Sequence, residues 1–119
     1  MAPGPPLIAI VDDDSSVRDA LGSLVRALGY RVQLFGSAEQ FLAAPLAAPD
    51  CMVCDLNLPG MSGWDLLARL RATRRFLPVI LITAFADESP GASGVRIFHK
   101  PFDAAQLGEA IRNAVGDRL

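Results

Sequence analysis

Short, uninterrupted apolar runs alternate along this chain with stretches in which apolar residues recur every three or four positions. Residues 7–11, 51–54 and 79–82 are runs of the first kind. They lack the in–out alternation of a half-buried strand, as expected of parallel strands covered by helices on both faces. Arg31-Val32-Gln33-Leu34-Phe35 also reads as a strand, and its more polar make-up places it nearer a sheet edge. Arg96-Ile97-Phe98-His99 is the fifth.

The intervening stretches carry helical spacing. Val17, Leu21, Leu24, Val25 and Leu28 share one face, with Ser15 or Ser16 available as N-cap and Gly29 as the stop. Ser37-Ala38-Glu39-Gln40 has the form of a capping box and opens a short helix through about Ala43, which Pro45 and Pro49 close off. A helix from about Ser62 turns Leu66, Leu67 and Leu70 inward. It gathers Arg69, Arg71, Arg74 and Arg75 toward its C-terminal end, where cations suit the helix dipole and form a solvated face. The last helix, about 104–117, buries Leu107, Ile111, Ala114 and Val115. Strands alternating with helices imply a parallel sheet built from right-handed crossovers.

Size and charge narrow the classes. At 119 residues, half of them hydrophobic, the chain reads as one domain able to bury a core without disulfides or structural metal. A net charge of -2 offers nothing to nucleic acid or an anionic membrane. Residues 1–6, rich in proline, lack the basic start and apolar core of a signal peptide; they are expected to be a flexible N-terminus before a domain spanning 7–119. The expected protein is soluble and cytoplasmic. Cys51 and Cys54 match C-x-x-C, but three residues apart on a strand they point to opposite faces and read as buried structural thiols.

The chemistry gathers where the apolar runs stop. Asp12-Asp13-Asp14 follows the first run, Asp55 the third, Thr83 the fourth, and Lys100-Pro101 the fifth. In open parallel sheets ligands bind beyond the carboxyl ends of the strands, where the strand order reverses. Crowded carboxylates there repel one another, and a hard divalent cation such as Mg²⁺ relieves that repulsion. A hydroxyl and an ammonium beside them complete a site able to hold a phosphoryl group.

Asp12-Asp13-Asp14, Asp55-Leu56-Asn57-Leu58-Pro59-Gly60-Met61-Ser62-Gly63, Ile82-Thr83-Ala84 and Lys100-Pro101-Phe102 occur in that order. Together they resemble the receiver domain of bacterial two-component response regulators, from Leu7 to the final helix. The resemblance implies a flavodoxin-like (βα)5 three-layer sandwich with a five-stranded parallel sheet of order 2-1-3-4-5. It implies that Asp55 accepts a phosphoryl group from a phosphohistidine on a sensor histidine kinase or histidine phosphotransfer protein, with output through a partner. Asp13 and Asp55 would ligate Mg²⁺ directly, Asp12 through water, and Asn57 through its backbone carbonyl. Lys100, the Thr83 hydroxyl and the Ala84 N–H would hold the phosphoryl oxygens, and the peptide before Pro101 would be cis. The protein would be a monomer or weak homodimer whose own chemistry is limited to self-phosphorylation and autodephosphorylation, not an enzyme in the usual sense.

Two features depart from that pattern. Sixteen residues separate Thr83 from Lys100, short of the family's usual span by about one helical turn and a bit more. The stretch 87–94 holds two glycines and a proline, so the helix between the fourth and fifth strands is expected to be short, distorted or absent. Three residues before the lysine, where receivers usually carry Tyr or Phe, stands Ile97. It cannot swing as a ring does, so ordering of 86–95 is the substitute switch to expect. Asp14 reads foremost as a helix N-terminal carboxylate, while Asn57, two after Asp55, and Phe85, two after Thr83, are expected to tune the lifetime of the phosphoryl group, Phe85 as a shield against attacking water. Alternatives remain at this point: a receiver-fold binding module that no longer uses phosphorylation, or a haloacid-dehalogenase-like phosphatase with Asp12 as nucleophile.

Overall fold

The computed structural model describes residues 4–44, 49–73, 77–83, 96–100 and 103–116. Within them the elements are β1 (Leu7–Val11), α1 (Ser15–Ala27), β2 (Arg31–Phe35), α2 (Ala38–Ala43), β3 (Cys51–Asp55), α3 (Gly63–Thr73), β4 (Val79–Thr83), β5 (Arg96–His99) and α4 (Ala104–Val115). All strand pairs are parallel, in the order β2-β1-β3-β4-β5. The expected sheet is therefore present, with the polar strand β2 at one edge.

Every residue of β1, β3 and β4 is buried, which is why those strands read as continuous apolar runs. The pleat divides their side chains between two cores. Ile8, Ile10, Val53, Ile80, Ile82 and Phe98 pack with α1 and α4 on one face. Ala9, Val11, Met52, Leu81 and the helical Leu66, Leu67 and Leu70 pack with α2 and α3 on the other. Cys51 belongs to the first core and Cys54 to the second, so the two thiols are separated by the sheet itself. Burial pushes the Cys51 thiol up to about 12, and Cys54 rises by the same cause.

Helix ends follow local chemistry, with two corrections. Asp14, not Ser15 or Ser16, is the N-cap of α1: its carboxylate accepts from Ser16 N and Val17 N. Those two bonds hold the Asp14 carboxyl below its ordinary value. Leu28, expected on the buried face, is 42% exposed, because it is the C-cap and the chain turns away there. Gly29 takes φ 99°, donating to Arg26 O while Tyr30 N reaches Val25 O, so the helix closes in the Schellman pattern. In α2, Gln40 N donates to Ser37 Oγ as the capping box requires, but the Gln40 side chain reaches one residue further back, to Gly36 N. Ser62 and Asp65 form a reciprocal box at the start of α3.

At the end away from the site, Arg31 takes the carbonyls of Pro5 and Pro6 through its Nε and N. The stretch between β4 and β5, with its shortened-helix expectation, lies outside the described residues. So do Arg74, Arg75 and the residues past Gly116. Among the described residues no helix is long and apolar enough to cross a membrane.

Candidate functional site

Register alone brings the polar residues together. Val11 pairs with Cys54, so Asp12 leaves β1 beside Asp55 at the end of β3. Asp55 pairs with Ile82 and Thr83 with His99, which places Thr83 and Lys100 one step further along the same edge. Two backbone bonds lock this rim: Leu56 N to Ile82 O at 2.7 Å, and Lys100 N to Thr83 O at 2.7 Å. The strand order reverses between β1 and β3, and the carboxylates stand at that point.

Asp55 is 6% exposed and held from two sides. Lys100 Nζ lies 3.1 Å from its Oδ2, and Asn57 N donates to its Oδ1 at 2.9 Å. Asp12, 1% exposed, accepts from Asp14 N at 2.9 Å through Oδ1, and its Oδ2 stands 3.6 Å from Lys100 Nζ. Burial pushes the Asp12 carboxyl above its ordinary value, and the Asp55 charge adds to that; the bond from Asp14 N and the Lys100 charge do not fully offset them. Lys100 is the converse case. Burial works against its charge, but the Asp55 hydrogen bond and the two carboxylates outweigh it and hold the ammonium above its ordinary value.

Asp12, Asp13 and Asp55 each offer a carboxylate oxygen, all within 4.8 Å of one another. Among the described residues, Asp12 Oδ2 is the buried side-chain oxygen left without a hydrogen-bond partner. An all-oxygen donor set with one orphaned lone-pair site fits a hard divalent cation.

Of the residues expected here, Asp12, Asp13, Asp55, Asn57, Thr83 and Lys100 come together, whereas Ala84, Phe85, Pro101 and Phe102 lie outside the described residues. Thr83 is fully buried and donates its hydroxyl to Asn57 Oδ1 at 3.0 Å. Ile97 is partly buried on the α2/α3 face. Phe98 packs into the opposite core with the Arg96 guanidinium 5.1 Å from its ring, so it is core and not a substitute for the absent aromatic at 97. His99 is exposed, and Trp64 packs partly buried at the start of α3.

Three supports were not foreseen from sequence. A Cβ at Gly63 would stand 2.8 Å from both Asp55 O and Leu56 Cα, so α3 approaches the Asp55 backbone as closely as only glycine permits. Arg18, one turn into α1, donates to Asp12 O at 2.8 Å. Glu39 of α2 accepts from Met61 N at 3.3 Å and steadies the loop after Asp55. The Gly63 signal lay in the sequence, as a glycine opening a helix eight residues after the aspartate, but its reason is a contact between two elements. Lys100 also borders a mostly apolar groove of about 490 Å³, lined by Val17, Ala20, Leu21 and Leu24 of α1 and Ala104 of α4.

Comparison with known proteins agrees with this geometry. The family model for the response regulator receiver domain matches residues 8–112. The response regulator protein TmoT of Ectopseudomonas mendocina is 39% identical over 116 residues, covering 92% of this chain and 52% of that protein. The transcriptional regulatory protein FixJ of Bradyrhizobium diazoefficiens is 33% identical over 114 residues, covering 91% of this chain and 56% of that protein. This chain thus spans about half the length of the curated relatives it matches. Among solved structures, the receiver domain of sensor histidine kinase PA1611 from Pseudomonas aeruginosa PAO1, with a magnesium ion coordinated in its active-site cleft, superposes with a TM-score of 0.83. It is 26% identical, and the match covers 96% of this chain and 100% of that one. From the matched family model, the relatives and the shared sheet, this chain belongs to the response regulator receiver domain family.

Proposed function

We propose that the chain is a phosphorylation-controlled switch whose acceptor is Asp55, and that residues 7–119 form the receiver unit. The observation that carries this reading is the placement of Asp55: a nearly buried carboxylate with Lys100 Nζ at 3.1 Å and two further aspartates within reach of a shared cation. Asp13 and Asp55 carboxylates, the Asn57 carbonyl and, through water, Asp12 would hold Mg²⁺. When bound, Mg²⁺ would neutralise charge on the carboxylates and the phosphoryl oxygens.

The protein's own groups do the rest. An Asp55 carboxylate oxygen attacks the phosphorus of a phosphohistidine, the imidazole leaves, and an acyl phosphate remains on Asp55. Lys100, already held beside that carboxylate, pairs with a phosphoryl oxygen as a point charge. Thr83 and the Ala84 N–H supply the remaining donors. The donor is a histidine kinase or histidine phosphotransfer protein, and it must seat on the rim where Asp55 opens. The apolar groove between α1 and Ala104 adjoins Lys100 on that rim and can bury part of the contact. Catalysis is confined to the chain's own acyl phosphate, output passes through another protein, and the setting is cytoplasmic.

The test is to map the modified residue. The chain is phosphorylated with acetyl phosphate and Mg²⁺, reduced with borohydride and digested. Conversion of Asp55 to homoserine supports the proposal; conversion of Asp12 instead would support the phosphatase-like alternative, and conversion of neither would leave a binding module.

A further inference from the structure

The loop that joins Asp55 to α3 carries the Asn57 carbonyl, and a third element grips it. Its ends are fixed locally, by Asn57 N donating to Asp55 Oδ1 and Gly63 N donating to Leu56 O. Its middle is held by Glu39, in the first turn of α2, whose Oε2 accepts from Met61 N at 3.3 Å. That same oxygen lies 3.1 Å from where a Cβ on Gly60 would stand, and Gly60 takes φ 75°. The carboxylate thus rests on the Gly60–Met61 peptide, in room that a glycine leaves. Glu39 is not needed to cap its own helix. Ser37 Oγ accepts from Gln40 N and the Gln40 side chain accepts from Gly36 N, so Glu39 is left to reach another element.

A divalent cation is sensitive to how firmly its ligands are held. Mg²⁺ demands near-ideal octahedral geometry, whereas Ca²⁺ accepts larger and more flexible arrangements of oxygens. A loop free to drift would therefore weaken Mg²⁺ binding and leave Ca²⁺ binding little changed. Resting on the cation site proposed above, we infer that Glu39 is a specificity-determining residue: by clasping the Gly60–Met61 peptide it keeps the Asn57 carbonyl in place and sets the preference of the site for Mg²⁺ over Ca²⁺. It acts through the loop and is a positioning residue. Its side chain is exposed, so it can be replaced without opening the core.

The test is titration of wild type, Glu39→Ala and Glu39→Gln with Mg²⁺ and, separately, with Ca²⁺, the dissociation constants being read from amide NMR shifts. Glutamine keeps an acceptor oxygen for Met61 N but loses the charge; alanine loses both. Loss of one hydrogen bond should lower the Mg²⁺-over-Ca²⁺ affinity ratio of Glu39→Ala by about three- to fivefold. Glu39→Gln should keep the wild-type ratio. A ratio in Glu39→Ala equal to that of wild type would overturn the inference, whether the two affinities fall together, as removal of a remote charge requires, or do not move. So would a ratio in Glu39→Gln as low as in Glu39→Ala, which would assign the effect to the charge at the start of α2. A wild type that binds neither cation would overturn the cation site itself and the clasp with it, an outcome distinct from the others.

Discussion

Gly63 shows how one residue can be dictated by another element's backbone. A methyl placed on it would lie 2.8 Å from Asp55 O, so an alanine there must push α3 away from β3 or twist the Asp55 loop. Gly63→Ala should cost about 1–3 kcal/mol of stability in urea titration. It should also slow phosphorylation of Asp55 more than a surface substitution of equal stability cost does. The buried thiols give a second prediction. In the folded chain Cys51 keeps its proton up to about 12 against an ordinary 9.0, so the folded state binds that proton more tightly than the unfolded one. Its effect on stability is absent below 9.0 and grows as a loss while pH rises from 9.0 toward about 12. Stability against pH in that window should fall less steeply for Cys51→Ala than for wild type, and neither thiol should react with iodoacetamide in the native chain at neutral pH.

Elements were the most legible level. The strands announced themselves because β1, β3 and β4 are buried on both faces, so no polar residue interrupts them. Their ends were equally clear, since each apolar run stops at the residue that carries chemistry. What sequence could not decide were choices among adjacent candidates. Asp14, Ser15 and Ser16 can all cap a helix, and the exit of the chain from β1 selects Asp14. Leu28 fits the apolar spacing of α1, yet the helix ends there and its side chain spreads over Gly108 of α4. The Asn57–Thr83 bond joins residues 26 apart and follows only from the β3–β4 register. Asp103 caps α4 by accepting from Ala105 N and Gln106 N. Asp103→Ala should cost about 1 kcal/mol by denaturant unfolding.

At the scale of the molecule, the site is held at the expense of fold stability. Asp12 is buried among like charges, and neither Lys100 nor the Asp14 N–H fully compensates it. In chelator, Asp12→Asn should therefore melt a few degrees above wild type, because neutralising the group removes a buried charge. Mg²⁺ should raise the melting temperature of wild type more than that of the variant and narrow the gap between them. A variant that melts lower than wild type in chelator would mean that Lys100 makes Asp12 a net stabilising group.

Asp55 as acceptor is the central claim, and the most direct measurement is intact mass after incubation with acetyl phosphate, with and without Mg²⁺, for wild type and Asp55→Asn. The expected result is a gain of one phosphoryl group by wild type that requires Mg²⁺ and is missing in the variant. A gain retained by Asp55→Asn, or no gain by wild type under any condition, would contradict it.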